Sequence, residues 1–153
     1  MTSAYNDIYD RFLRKVTDYK LASLLEPDAT QRMKEWLQSS LSDIYIFRIF
    51  DEFSADDEIG QIEYTLKTPV NDYIDQNFVE ELLGNAMVLQ WISPKVKSTN
   101  NLNQLIGNSK EQKLFSQSSH LAQLRELEAD ADSKVRCALR DKGYIYNEYL
   151  GNV

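Results

Sequence analysis

The chain has 153 residues, of which 42% are hydrophobic and 27% are charged. This balance is typical of one folded domain and excludes an intrinsically disordered chain. The net charge is −7, and it is unevenly placed: the stretch from Asp51 to Glu81 has ten acidic side chains and one basic one, so it carries −9 and the remainder carries +2. Because the sequence lacks a strong cluster of basic residues, sequence-specific binding of DNA or RNA is not expected.

The scarcity of turn residues favours a few long elements. Five glycines and three prolines in the whole chain are few for many short strands, so the composition predicts an all-α fold, a bundle of four to five helices. The single cysteine, Cys137, excludes an intrachain disulfide. The N-terminal residues lack the apolar stretch of a signal peptide, and no apolar run approaches the roughly 18 residues of a membrane span. We therefore expect folding in a cytoplasm.

The N-terminal half predicts two main helices. Apolar side chains recur at helical spacing over residues 6–16, which predicts the first helix. A short turn is expected over residues 20–25 and is interrupted at Pro27, because the residue before a proline resists helical dihedral angles. The second main helix begins at about Asp28 or Thr30, and its apolar stripe is Met33, Leu37, Leu41 and Ile44.

The acidic middle of the chain, residues 44–76, loses the helical period. Residues 62–67 alternate between apolar and polar, as a half-buried strand does, and the run 45–50 is its candidate partner. We predict either a long acidic loop or a short β-hairpin, inserted between the second and third main helices. Because long irregular segments in compact domains are often functional, this segment supplies the first candidate partner-binding residues. They are Asp56, Asp57, Glu58 and Tyr64.

The C-terminal half predicts the core helix and the longest amphipathic helix. Residues 77–92 are apolar on nearly all sides, which indicates a central helix that ends at Ser93-Pro94. A short helix is expected over residues 99–106, and the last one runs from Ser118 or Ser119 to Gly143. The domain prediction is one helical domain over residues 1–143 and an aromatic C-terminal arm over residues 144–153.

The arm supplies the remaining candidate partner-binding residues. An aromatic terminal segment is expected to be buried somewhere, either against its own domain or on a neighbouring chain, and we favour the neighbouring chain as the hypothesis. The side chains concerned are Tyr144, Tyr146, Tyr149 and Leu150.

Patterns for catalysis are missing from the sequence. One histidine and one cysteine exclude a zinc site built from several such ligands. His120 and Cys137 lie on one predicted helix, roughly 25 Å apart, and cannot form a nucleophile pair. A phosphate-binding loop and a nucleophile elbow are also missing, and the adjacent acids do not have the alternation of a calcium loop. We predict a protein that is not an enzyme and has no cofactor or metal.

Several segments together resemble a known family. These are residues 6–13 with Asp18-Tyr19, residues 78–83, residues 86–96 and residues 115–127. They resemble small structural proteins of tailed bacteriophages of Gram-positive hosts, the head-to-tail connector (neck or head-completion) proteins. The acidic middle and the aromatic arm lie outside the resemblance, and the long acidic insertion departs from the shortest members of the family.

The resemblance implies a helical-bundle protomer in a closed ring, commonly of twelve subunits, within the virion neck and assembled in the host cytoplasm. The implied partners are the portal protein, the next neck or tail-completion protein, and passing genomic DNA that is not bound sequence-specifically. An acidic channel wall would be consistent with free passage of DNA, and an acidic loop that faces outward would equally suit a basic portal or tail surface. The alternative is a small acidic regulatory protein that mimics DNA on a basic partner surface.

Overall fold

The computed structural model describes residues 1–106 and 111–144, which form six helices and three strands. In chain order they are β1 (Thr2–Ala4), α1 (Tyr5–Leu13), α2 (Tyr19–Ala22), α3 (Glu26–Leu41), α4 (Ile44–Phe47), β2 (Phe50–Asp56), β3 (Gln61–Leu66), α5 (Asp72–Ile106) and α6 (Glu111–Tyr144).

The fold is mixed α/β, so the prediction of an all-α bundle is wrong. The strands form one antiparallel sheet in the order β1-β3-β2. The sheet belongs to the core, because Ile62, Tyr64 and Leu66 on the inner face of β3 are at most 5% exposed. The low glycine and proline content led to the wrong fold class because three strands need few turn residues here. One strand is the N-terminal segment, and the other two are joined by a single turn.

The hairpin occupies the acidic middle, but its first strand is not where the sequence placed it. The alternation over β3 is confirmed, whereas the first half of the run 45–50 belongs to helix α4. This helix begins where the Asp43 side chain accepts the Tyr45 N–H. The strand β2 starts at Phe50 and includes the acidic residues Asp51, Glu52 and Asp56. Acidic residues are tolerated there because β2 is an edge strand with one face in water.

The two long helices form an antiparallel pair. Lys142 on α6 contacts Asp75 near the start of α5, and Glu128 accepts a hydrogen bond from Ser93 further along, so the contacts run in opposite order along the two helices. The predicted end of the core helix at Pro94 is wrong, because α5 continues through this proline to Ile106. Packing against α6 offsets the backbone hydrogen bond that the proline removes.

The helix α5 is the central one, as its apolar circumference predicts. Leu83 and Met87 are completely buried, and α1 crosses directly over Gly84. A Cβ atom at Gly84 would lie 2.8 Å from Arg11 Cβ, closer than Cβ atoms approach other atoms in proteins, and a tight 3.3 Å from the Phe12 nitrogen. The glycine therefore permits the close contact of α1 and α5, which holds the sheet and the helices together.

Candidate interaction surface

The turn between β2 and β3, residues 57–60, is fixed by its own hydrogen bonds; we call it the hairpin tip. Asp56 Oδ1 accepts the N–H groups of Glu58 at 2.9 Å and Ile59 at 3.0 Å, and the Asp56 carbonyl accepts the Gly60 N–H at 2.8 Å. Gly60 has φ +73°, a conformation that favours glycine. Asp56 therefore shapes the turn with its side chain.

Asp57 attaches the hairpin tip to two helices. Its carboxylate accepts hydrogen bonds from the Tyr5 hydroxyl at 2.7 Å and from Gln38 Nε2 at 2.8 Å, with Lys34 Nζ at 3.7 Å. The hydrogen bond from Tyr5 is the main reason that the pKa of Asp57 is lowered. Two of the three predicted partner-binding acids therefore have structural roles.

Glu58 and Ile59 are the side chains of the tip that remain available. Ile59 is 69% exposed, and the exposed side chain of Glu58 takes part in no hydrogen bond or ion pair within the residues that the structure describes. A rigid turn that presents an apolar side chain next to a carboxylate is suited to protein contact.

Tyr64 lies inside the protein, although the sequence suggested a partner-binding role. It is 3% exposed, its hydroxyl is 3.2 Å from Ser3 Oγ, and burial raises its pKa. Ser3 Oγ also donates to Glu80 Oε1, so this tyrosine belongs to a buried polar network between β1 and α5. Tyr144 ends α6, and the predictions for Tyr146, Tyr149 and Leu150 fall outside the described residues.

The short helix α4 carries an exposed apolar surface that the sequence reading assigned to a strand. Ile44 is 71% exposed, Tyr45 61% and Phe47 46%; we call these three residues the α4 patch. The rings of Phe47 and of Phe53 on the edge strand make an edge-to-face contact, with centroids 5.2 Å apart, so the patch continues onto β2. In the sequence, the signal for this patch was the high density of apolar residues over 44–50, because one buried face requires fewer of them.

A groove of about 410 Å³ lies between α4 and the C-terminal part of α6; we call it the α4–α6 groove. Arg48 and Lys67 are exposed there and form no ion pair within the described part of the chain. Arg140 pairs with Asp141 at 3.2 Å. The described residues that line the groove include no carboxylate, which is notable in an acidic protein. They are Tyr45, Arg48, Ile49, Lys67, Thr68, Leu139, Arg140 and Lys142.

A second polar centre joins the loop after α1 to α5. Asp18 Oδ2 accepts hydrogen bonds from Trp91 Nε1 at 2.6 Å and Lys95 Nζ at 2.7 Å, while Oδ1 accepts the N–H groups of Lys20 and Leu21. Partial burial alone would raise the pKa of Asp18, but the hydrogen bonds from Lys95 and Trp91 outweigh it and hold the pKa far below its ordinary value. Both carboxylate oxygens are occupied, so this centre acts as an anchor.

The anchor gives a prediction that depends on pH. Asp18→Asn should lower the free energy of unfolding at pH 7 by about 1.5–3 kcal/mol, the range for hydrogen bonds to a charged group. Because the pKa of Asp18 in the folded protein lies below the unfolded value of about 3.9, its contribution to stability is complete above about pH 5 and is lost as the pH falls toward the folded pKa.

Urea denaturation of the wild type and of Asp18→Asn at pH 7 and pH 3 measures this contribution. An equal difference in the free energy of unfolding at the two pH values would contradict the assignment.

No protein-family model, curated protein or solved structure matches the chain. Among the residues that the structure describes, no group of three or more His, Cys, Asp or Glu side chains is placed to hold a metal ion. The helices in the same part of the chain include none that is both long and apolar enough to cross a membrane. The surface features above therefore carry the functional argument.

Proposed function

We propose that this chain is a structural subunit of the head-to-tail connector of a tailed bacteriophage, where it forms part of a ring that joins portal and tail around the DNA channel. The α4 patch carries the proposal. Three large apolar side chains, 46–71% exposed, stand together on a helix of four residues. Leaving such a patch in water forgoes about 25 cal/mol for each Å² that a partner could cover.

The family resemblance supports the same function. Its segments 78–96 and 115–127 lie on the paired helices α5 and α6. The sheet, which a helical-bundle protomer would not have, is built from the acidic middle and residues 2–4, outside the segments that carry the resemblance. The proposed protomer is thus a mixed α/β unit in which the long helices α5 and α6 carry most of the resemblance.

The alternative is an acidic regulatory protein that occupies a nucleic-acid site of a partner. The outward face of the sheet supports it, because Glu52, Asp56 and Glu63 are all exposed there. Such a protein would form a complex of fixed small stoichiometry with a basic partner, whereas a connector subunit would form rings. Electron microscopy distinguishes the two.

The test is co-production of the chain with the portal protein of the same genome, followed by purification and electron microscopy. We expect rings on the portal for the wild type, and a loss of about tenfold or more in portal-bound protein for Ile44→Ser/Phe47→Ser. The matched control is Leu25→Ser, which removes a similarly exposed apolar side chain, 75% exposed, at the N-cap of α3.

Melting temperatures establish that the variants fold. Ile44→Ser should melt within a few degrees of the wild type, since its side chain is mostly in water. Portal binding that is unaffected by the α4 changes, or a small complex with a nucleic-acid-binding protein instead of a ring, would contradict the proposed function.

A further inference from the structure

We propose that copies of this chain associate head to tail, with the hairpin tip of one copy seated in the α4–α6 groove of the next. Ile59 would enter the groove between Tyr45 and Leu139, and Glu58 would pair with Arg48 and Lys67. The inference rests on the proposed function and deepens it by naming the contact between neighbouring subunits.

The two surfaces are complementary in charge and in polarity. The groove presents two cations without ion-pair partners in the described residues, Arg48 and Lys67, beside apolar walls. The tip presents one carboxylate without a partner there, Glu58, beside the exposed Ile59. Opposite charges next to a small apolar anchor favour both rapid encounter and a defined register.

The tip of a copy cannot reach the groove of the same copy. The groove lies at the base of the hairpin, where Phe50 pairs with Leu66, and Ile49 and Lys67 are the residues just outside this pair. The tip lies at the other end, beyond the pair of Asp56 and Gln61, roughly 20 Å away at about 3.3 Å per residue.

The hairpin cannot fold back to shorten that distance. Tyr5 binds the tip through its N–H to the Gly60 carbonyl at 2.8 Å and through its hydroxyl to Asp57. Gln38 on α3 holds the same carboxylate. With the tip fixed on α1 and α3, the contact is possible only between two copies.

Such a contact joins different surfaces of the two copies, so it is heterologous. Repeated heterologous contacts close into a ring when the rotation between copies allows it, and otherwise they form a filament. Symmetric pairing of two tips is disfavoured by their like charge, and edge-to-edge pairing of β2 by its acids Asp51 and Glu52. The chain is therefore biased toward the arrangement that a connector requires.

The experiment uses two full-length variants, each with one surface removed. The tip variant is Glu58→Ser/Ile59→Ser, and the groove variant is Arg48→Glu/Lys67→Glu. By sedimentation velocity over a range of concentrations up to millimolar, the wild type should form species larger than dimers. Each variant alone should associate about tenfold or more weakly. An equimolar mixture should form a dimer that grows no further, because only one intact tip and one intact groove can meet.

Matched controls carry the same changes elsewhere. Leu25→Ser/Glu26→Ser removes an exposed apolar residue beside an acid. Arg14→Glu/Lys97→Glu reverses two exposed cations, one at the C-cap of α1 and one on α5. Both should associate as the wild type does. All variants should retain the wild-type melting temperature within a few degrees, since the changed side chains are exposed.

Three results would overturn the proposed contact: a wild type that stays monomeric, variants that associate as the wild type does, or a mixture that stays monomeric. Analysis of virions distinguishes failure of this contact from failure of the proposed function. If a neck ring still assembles from each variant, the connector function stands and the proposed contact is wrong. If the chain forms head-to-tail polymers but is missing from purified virions, the contact stands and the connector function is wrong.

Discussion

Replacing Lys142 with methionine should destabilise the protein by about 3–5 kcal/mol, the cost of removing one partner from a buried ion pair. Lys142 Nζ lies 2.6 Å from Asp75 Oδ1, and the two side chains are 5% and 1% exposed. The other oxygen of Asp75 accepts the Val70 N–H at 2.7 Å, and the ammonium lies 5.2 Å from the centre of the Phe78 ring. Without the lysine, a buried carboxylate loses its counter-charge.

A double variant shows that the cost comes from this uncompensated charge. Lys142→Met/Asp75→Asn removes both charges, and the asparagine oxygen can still accept the Val70 N–H, so much of the lost stability should return. The control is Lys134→Met, whose partner Asp130 is 54% exposed, and it should cost at most about 0.5 kcal/mol.

Urea denaturation at pH 7 provides the free energies for this cycle. Equal costs for Lys142→Met and Lys134→Met would show that the pair contributes nothing beyond a surface contact. A double variant that is no more stable than Lys142→Met would mean that the lysine acts through packing of its alkyl chain instead.

Leu83→Asp should leave the chain unfolded or reduce its stability by more than about 4 kcal/mol. The Leu83 side chain is 0% exposed on α5, next to the close approach of α1 at Gly84. The change removes a packed apolar side chain and places a carboxylate without a partner in the core. Far-ultraviolet circular dichroism and thermal melting measure the loss of helix.

Replacement of Leu25 by aspartate should have the opposite effect on stability. Leu25 is the N-cap residue of α3, is 75% exposed, and has no side-chain hydrogen bond to the helix. An aspartate there can accept a backbone N–H of the first turn, so Leu25→Asp should stabilise the protein by about 0.5–1 kcal/mol.

A folded Leu83→Asp protein with an unchanged melting temperature would show that α5 is not the core helix.

The periodic elements were the predictable part of the fold. The apolar circumference of residues 77–92 identified the central helix, and alternation over residues 62–67 identified β3. Both signals are local, since burial on one face or on all faces imposes a period on neighbouring residues. The boundaries were less predictable: α5 passes through Pro94 because contacts with α6, distant in sequence, stabilise the helix beyond it.

The candidate site was less predictable than the fold. Acidity along the middle of the chain suggested a projecting segment, but it did not indicate that Asp56 and Asp57 would be used to build the turn. Tyr64 stands among acidic residues in the sequence but at an apolar position of the alternation over residues 62–67, and it lies on the inner face of β3 with Ile62 and Leu66. Which side of a strand is buried depends on what covers it.

The sequence by itself determined a central apolar helix, a strand at β3 and a concentration of acidic residues in the middle of the chain, because composition and periodicity are properties of neighbouring residues. Only the tertiary structure decided the rest. Ser3 pairs with Ile62 to add the third strand, and Lys142 meets Asp75 in the interior. Arg48 and Lys67 reach the same groove because α4 and the end of β3 lie side by side. Each of these depends on residues far apart in the chain, and no local pattern records which distant residue will become a neighbour.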